Sequence, residues 1–537
     1  MSTQEAWAPV SFVDASPKSA PVSDEIVIGK DVLELLTGAM YSEPLMIYRE
    51  YVQNAADAID ELLAGPHEPN QEAPRIDINI DVQGRNVRVR DTGTGIARDQ
   101  FERRLTALGA SVKRGQAKRG FRGVGRLSGL GYCRELVFRS RRSRADPVLE
   151  LSWDGRRLRE LLRDAHYRDD LKSLIKTITS VRAVSGGEHP ARFFEVEMRG
   201  VVRIKNDALL NGEAIGSYLS EVAPIAFKSD FSYGAEVDRF LAQHGVRAPG
   251  SLHLHAGGGT RELFRPHSDE IQMSKLASHA NELQQFVLDG LDEEVAAVGW
   301  VLHHDYLGSI PRETGAEGIR VRCGNIQIGS ARLLDELFAE TRFNSWCIGE
   351  IHVLTPKIVP NGRRDNFEAT AAWQDLQGKL AAIAAQLTKR CRSRSVARNR
   401  LNDLRRDYQA TMDLVDFVAF QSRYGICQHD TTSVVAKTVA NFLKAASSAH
   451  VGEGVRQEAA ALAAKLESRE RRGLEARARK DPLDFLSPQK RTAYREVFAH
   501  MIRVAKKPRD CIQLIDTIVD SARKDGRKRT RSRSVSR

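Results

Sequence analysis

The stretch from Arg75 to Asp91, RIDINIDVQGRNVRVRD, alternates apolar and polar residues on both sides of a glycine. Side chains of a strand point alternately to opposite faces, so this pattern fits a hairpin with one dry face and does not fit a helix. Ile76, Ile78, Ile80 and Val82 are expected on the buried face of the first strand, with Val87 and Val89 opposite them and the turn at Gly84. The preceding residues, from Asp24 to Leu63, read as two helices separated near Ser42–Pro44. Helix, hairpin, a further helix in DQFERRLTALG and a strand in ELVFRS make an α+β arrangement, with helices gathered on one sheet face.

Within the second helix, YREYVQNAADAID places Glu50, Asn54 and Asp57 at i, i+4 and i+7, on one stripe. Ile47, Val52, Ala55, Ala56 and Ile59 flank that stripe as packing residues. The hairpin then runs directly into DTGTGI, where Asp91 ends a strand and Gly93 and Gly95 keep side chains away from the backbone. A carboxylate there can accept a hydrogen bond from an exocyclic amine, and the open backbone admits a flat ligand. Further on, Gly120, Gly123, Val124 and Gly125 form G-x-x-G-V-G, whose bare N–H groups would suit a phosphate cradle at the start of a helix. This glycine run does not follow a strand inside a βαβ unit, which excludes a dinucleotide-binding fingerprint.

Taken together and in this order, E-x-x-x-N-x-x-D, D-x-G-x-G and G-x-x-G-x-G resemble the GHKL ATPases, the superfamily of gyrase, the ninety-kilodalton heat-shock chaperones, histidine kinases and MutL. The resemblance is closest over residues 26–140 and implies a Bergerat fold, an α/β sandwich that binds ATP. By that match Glu50 is the general base toward the γ-phosphate, and Asn54 coordinates Mg²⁺ between the phosphates. Asp57 lies near the nucleotide, Asp91 reads adenine with Gly93 and Gly95 shaping its pocket, and Gly120, Gly123, Val124 and Gly125 wrap the phosphates. A hydrolytic glutamate at this place favours water as phosphoryl acceptor, hence an ATPase rather than a kinase.

GFRGVGRLSGLG is most similar to the chaperone branch, although Arg126 and Leu127 replace its aromatic pair while Ser128 is kept. Ser111 and Lys113 in LGASVK resemble both the chaperones and the MORC ATPases, and they are assigned to the nucleotide site. Only RGQAKR separates Lys113 from Gly120, so the lid is expected to be short. In PNGRRDNF, Pro360 to Phe367, the resemblance implies an arginine that reaches the γ-phosphate from a second domain. Arg364 is the first candidate, Arg363 the second and Asn361 an orienting residue; Lys357 is the alternative if a gyrase-type lysine serves instead.

At 537 residues the chain is expected to hold several domains. These are a flexible arm (1–22), the ATP-binding domain (23–232), an α/β transducer-like middle domain (233–368), a mainly α-helical region (369–520) and a basic disordered tail (521–537). SLHLHAG is placed in the middle domain, and RFFEVEMRGVVRI reads as a strand pair. Six scattered cysteines with no C-x-x-C pair argue against zinc and disulfides and point to a reducing, cytoplasmic setting. No apolar run is long enough to span a membrane, and the N-terminus lacks the pattern of a secretory signal. The net charge of +12 is concentrated at the end, RKDGRKRTRSRSVSR, which would attract polyanions. Three functions are weighed: the leading one is a chaperone-like, Mg²⁺-dependent and ATP-hydrolysing clamp, working as a homodimer on protein clients, and the second is a MutL- or MORC-like ATPase acting on DNA. A nucleotide-gated interaction protein with little turnover is the third.

Overall fold

The computed structural model describes residues 28–30, 32–33, 43–66, 73–109, 125–204, 206–274, 276–426, 430–447, 453–475, 481–505 and 508–534. The chain divides into two units, Met1–His304 with Ser309–Ile383, and Asp305–Gly308 with Ala384–Arg537.

In the first unit, helix α1 (Met46–Leu63) precedes the hairpin β1 (Arg75–Asp81) and β2 (Asn86–Asp91), and α2 (Arg98–Thr106) follows it. Next come β3 (Glu135–Arg141), β4 (Val148–Asp154), α3 (Gly155–Arg163), α4 (Leu171–Ile178), β5 (Thr179–Val184) and β6 (Phe193–Arg199). After α5 (Gly212–Val222) and α6 (Gly234–Gln243) the chain forms β7 (Ser251–Ala256) and β8 (Gly259–Glu262). These eight strands make one sheet in the order β5-β4-β3-β6-β2-β1-β7-β8. All neighbours are antiparallel except β1 and β7, which run parallel with Ile76 opposite Leu252 and Ile78 opposite Leu254.

The period-two pattern accounts for both faces. Ile76, Ile78, Ile80, Val87, Val89, Phe138, Leu151, Val196 and Leu254 share the core with Ile47, Tyr51, Val52, Ala55 and Ile59 of α1. Each of the Val, Leu, Ile and Phe side chains among them contributes about 1.5–3 kcal/mol by leaving water. On the other face the polar positions form a ladder across five strands. Arg90 Nε is 2.6 Å from Glu195 Oε2, Arg139 reaches Glu195 and Glu150 at 2.7 Å each, and Arg182 Nε is 2.7 Å from Glu150. Register makes this possible, since Arg90, Glu195, Arg139, Glu150 and Arg182 are directly opposite one another in turn.

A second sheet follows, with β9 (Glu270–Gln272) and β10 (Ala277–His279) as a small separate pair before it. Its strands are β11 (Glu282–Asp289), β12 (Val295–His303), β13 (Gly318–Cys323), β14 (Ile326–Ile328) and β15 (Ile348–Val353), in the order β11-β12-β15-β13-β14. Its interior holds a charged cluster. Glu350, wholly buried, takes hydrogen bonds from Arg322 Nε at 2.6 Å and from Arg265 Nη1, with His352 Nε2 at 3.1 Å. Burial raises and the two guanidinium groups lower the Glu350 pKa, and the balance leaves it well below the usual carboxylate range.

From Ala371 onward the described residues are mainly helical: α7 (Ala371–Arg423), α8 (Asp430–Ser447), α9 (Glu453–Glu475), α10 (Pro488–Val504) and α11 (Pro508–Ser534). In the second unit Leu404, Val415 and Val418 pack with Val435, Val439, Phe442 and Leu466. Phe420, Tyr424, Leu483, Phe498, Ile515 and Val519 form another core. Among the described residues no helix is long and apolar enough to cross a membrane. Cys133, Cys347, Cys391 and Cys511 are buried, and Cys323 is partly exposed.

Four sequence expectations need correction. Val82 is 55% exposed rather than in line with the isoleucines, because β1 ends at Asp81, whose carboxylate takes the Gly84 N–H at 2.8 Å and tightens the turn. RFFEVEMRGVVRI is one strand, not two; Gly200 turns at a φ of +60° and Val201 N–H is spent on the Arg85 carbonyl at 2.8 Å. SLHLHAG belongs to the first sheet, since β7 completes the free edge of β1, so a boundary at 232 cuts through that sheet. The basic end expected as a disordered tail from 521 continues α11 as far as Ser534, its Arg- and Lys-rich sequence being compatible with a helix.

Candidate active site

Helix α1 and the end of β2 meet at Ala58. Thr94 N–H is 3.3 Å from the Ala58 carbonyl, and a Cβ on Gly93 would sit 2.7 Å from Ala58. This close approach explains the first glycine of D-x-G-x-G. The second, Gly95, turns at a φ of +64°, and a Cβ there would lie 2.3 Å from the Arg141 carbonyl oxygen. Asp91, 2% exposed, is fixed by the Gly93 N–H, which donates to Oδ1 at 2.9 Å. Burial pushes its carboxyl up to about 7 against the lowering effect of that hydrogen bond.

One turn of helix separates the polar residues of α1. Glu50 and Asp57 are buried at 4% and 5% exposure, while Asn54 is partly exposed. Gly125 opens a short helical turn, Gly125–Leu127, directly against Glu50. Ser128 follows, fully buried, and the Gly129 N–H donates to the Tyr51 hydroxyl at 3.0 Å. Arg126 donates to the Ala107 carbonyl, and burial, helped by Arg104, lowers its pKa to about 10. Ser111, Lys113, Gly120, Gly123 and Val124, together with the expected short lid, lie outside the described residues.

From the loop after the second sheet, Arg364 enters this site. Its Nε lies 3.1 Å from Glu50 Oε1, and its Nη1 donates to Gln53 Oε1. Arg49 Nη2 approaches the same Glu50 oxygen at 3.7 Å. Neither approach is aligned as a hydrogen bond, so Glu50 Oε1 is buried with its lone pairs unspent. Lys357 instead pairs with Asp292, and Asn361 Nδ2 is bonded to Asp365 at 2.6 Å. Arg49 and Gln53 escaped the sequence reading. Gln53, at i+3 from Glu50, shares its side of the helix, but nothing in the spacing shows what would face it.

The unspent Glu50 Oε1, a glycine whose Cβ would collide with the other oxygen of that carboxylate, Oε2, and the buried Asp91 carboxylate beside open backbone fit a bound nucleotide with its metal. Residues 46–163 match the family described as histidine kinase-, DNA gyrase B-, and HSP90-like ATPase. This segment therefore matches an ATPase-domain family of the GHKL class, in line with the motifs. Among curated proteins the similarity falls on the chaperone side. A stretch of 95 residues is 33% identical to the chaperone protein HtpG of Frankia casuarinae, covering 17% of this chain and 14% of that protein. Another of 160 residues is 28% identical to HtpG of Azorhizobium caulinodans, covering 26% of this chain and 25% of the relative. The endoplasmin homolog of Leishmania donovani is 27% identical over 121 residues, 21% of this chain and 16% of its own length. In each case the match takes in a quarter or less of the relative.

Proposed function

We propose that the chain is an ATP-hydrolysing conformational clamp of the heat-shock-chaperone kind. The observation that carries this reading is the arrival of Arg364 within 3.1 Å of Glu50 from a loop beyond the second sheet. A hydrolytic site divided between two sheets turns over only when both are engaged, which ties the chemistry to shape. The second sheet is then the transducer.

Each residue has a definite task. Asp91 accepts from the exocyclic amine of adenine through the oxygen that Gly93 does not occupy, and Asp57 supports the same pocket. Asn54, with the phosphates, holds Mg²⁺, which when bound neutralises phosphate charge. Glu50 takes the proton of the attacking water at Oε1, the buried oxygen with free lone pairs. Arg364 sets a fixed positive charge where negative charge grows on the transferred group. Ser111, Lys113, Gly120, Gly123, Val124 and Gly125 enclose the phosphates.

Phosphate release by the wild type and by Glu50→Ala tests this. Glu50→Ala is expected to bind ATP normally and to lose at least about a hundredfold in turnover. Equal turnover by both proteins would remove Glu50 from the reaction. Light scattering with a non-hydrolysable ATP analogue tests the homodimer that a clamp of this kind needs.

A second reading concerns the partner. Residues 384–537 carry 34 Lys and Arg against 17 Asp and Glu, whereas the rest of the chain is slightly acidic. That asymmetry favours a polyanion such as DNA over a protein client. Binding across a salt series, with and without residues 523–537, decides it: salt-independent or absent binding leaves the protein client.

A further inference from the structure

We propose that Gln53 is the positioning residue of the site, anchoring Arg364 so that its guanidinium stays aimed at the Glu50 carboxylate. The proposal rests on the reading of Glu50 and Arg364 as ATPase residues.

Backbone hydrogen bonds hold the loop that carries Arg364. Pro360 and Phe367 form a bridge, Asn361 N–H donates to the Asn366 carbonyl at 2.8 Å, and Arg364 N–H donates to the Asn361 carbonyl at 3.1 Å. Gly329, just after β14, donates its N–H to the Arg364 carbonyl at 2.9 Å. Arg364 itself sits at a φ of +57°, a left-handed conformation that is strained for a non-glycine residue. This strained turn sends the side chain toward α1, where it is 13% exposed.

Two groups from successive turns of α1 then meet that guanidinium. Glu50 lies beside Nε without an aligned hydrogen bond, while Gln53 Oε1 accepts from Nη1. Of these two contacts from α1, the hydrogen bond and not the ion pair is the one aligned to hold the fork. Gln53 is 1% exposed, and a buried amide placed there needs a partner to offset its desolvation. Its neutrality matters as well. A second carboxylate beside Glu50 would further offset the charge that Arg364 must present to the phosphate, whereas an amide holds the group and adds no negative charge.

The test uses the full chain with Gln53→Met, which keeps the volume but cannot accept the bond, and Gln53→Glu, which keeps the acceptor and adds charge. Hydrogen exchange of residues 361–366 should rise in Gln53→Met and stay near wild type in Gln53→Glu. Gln53→Met should lower kcat about tenfold with the KM for ATP within about twofold, and should cause no further loss in an Arg364→Ala background. Unchanged exchange in Gln53→Met, or losses that add to those of Arg364→Ala, would overturn the proposal. Exchange reads the anchor without turnover, so an absence of hydrolysis in the wild type would count against the ATPase reading and leave the anchor decided by the exchange data.

Discussion

Gly125 and Glu50 meet so closely that a Cβ on the glycine would lie 2.3 Å from Glu50 Oε2. The glycine at the end of the G-x-x-G-x-G run thus makes room for the carboxylate as much as for a phosphate. Gly125→Ala must displace Glu50, and the displaced atom is the far end of a flexible side chain. Stability should change by less than about 1 kcal/mol, whereas turnover should fall about tenfold or more through misplacement. Urea melts and phosphate-release kinetics on the same preparation separate the two effects.

Gly95 is expected to behave differently. Its alanine variant combines a φ of +64° with a contact of 2.3 Å to a backbone oxygen that cannot swing away. Gly95→Ala should cost about 1–3 kcal/mol of stability or more. A midpoint in urea equal to that of the wild type would contradict the role given to this residue.

Asp91 makes stability depend on pH. Its folded pKa of about 7 lies above the ordinary value of 3.8, so without nucleotide the folded state holds a proton that the unfolded state releases. Below the ordinary value both states are protonated and the group costs nothing. Between the two values stability falls as pH rises, and above about 7 the penalty is complete. Asp91→Asn should therefore be more stable than wild type at pH 8 by up to about 4 kcal/mol, and the gap should close toward pH 4. The same variant should lose ATP. With Oδ1 held by Gly93, the new amide nitrogen would face the amine of adenine, donor against donor. Chemical denaturation across pH and a nucleotide titration check both halves.

Glu350 holds two buried guanidinium groups, those of Arg265 and Arg322. Glu350→Gln removes the charge but not the volume, and leaves both cations in the interior. A loss of about 3–5 kcal/mol is expected. Thermal melts of the variant should also show the second sheet giving way, which tryptophan fluorescence of the fully buried Trp300 can follow.

The hairpin from Arg75 to Asp91 was legible because its period of two is a local property, and the structure pairs Ile78 with Val89 as that pattern requires. The positive φ expected of the D-x-G-x-G glycines is met at Gly95, at +64°, because short-range sterics decide which residue such a turn can hold. The parallel pairing of β7 with β1 was not legible, because no local signal tells a strand which distant edge it will join. The charged ladder through Glu195 was hidden too. It exists only once five strands are in register. Gln53 falls in the same class: its neighbour in space lies 311 residues away in sequence.

The joining of β7 and β8 to the first sheet bears on any effort to prepare the nucleotide domain alone. A fragment stopped at residue 232 would lose the strand that covers β1 and expose a bare ladder of N–H and C=O groups, with Ile76 and Ile78 losing Leu252 and Leu254 across it. Such a piece would be expected to clump in the tube. One carried past Leu263, which bonds back to Leu252, keeps the edge closed by the short hairpin that nature placed there.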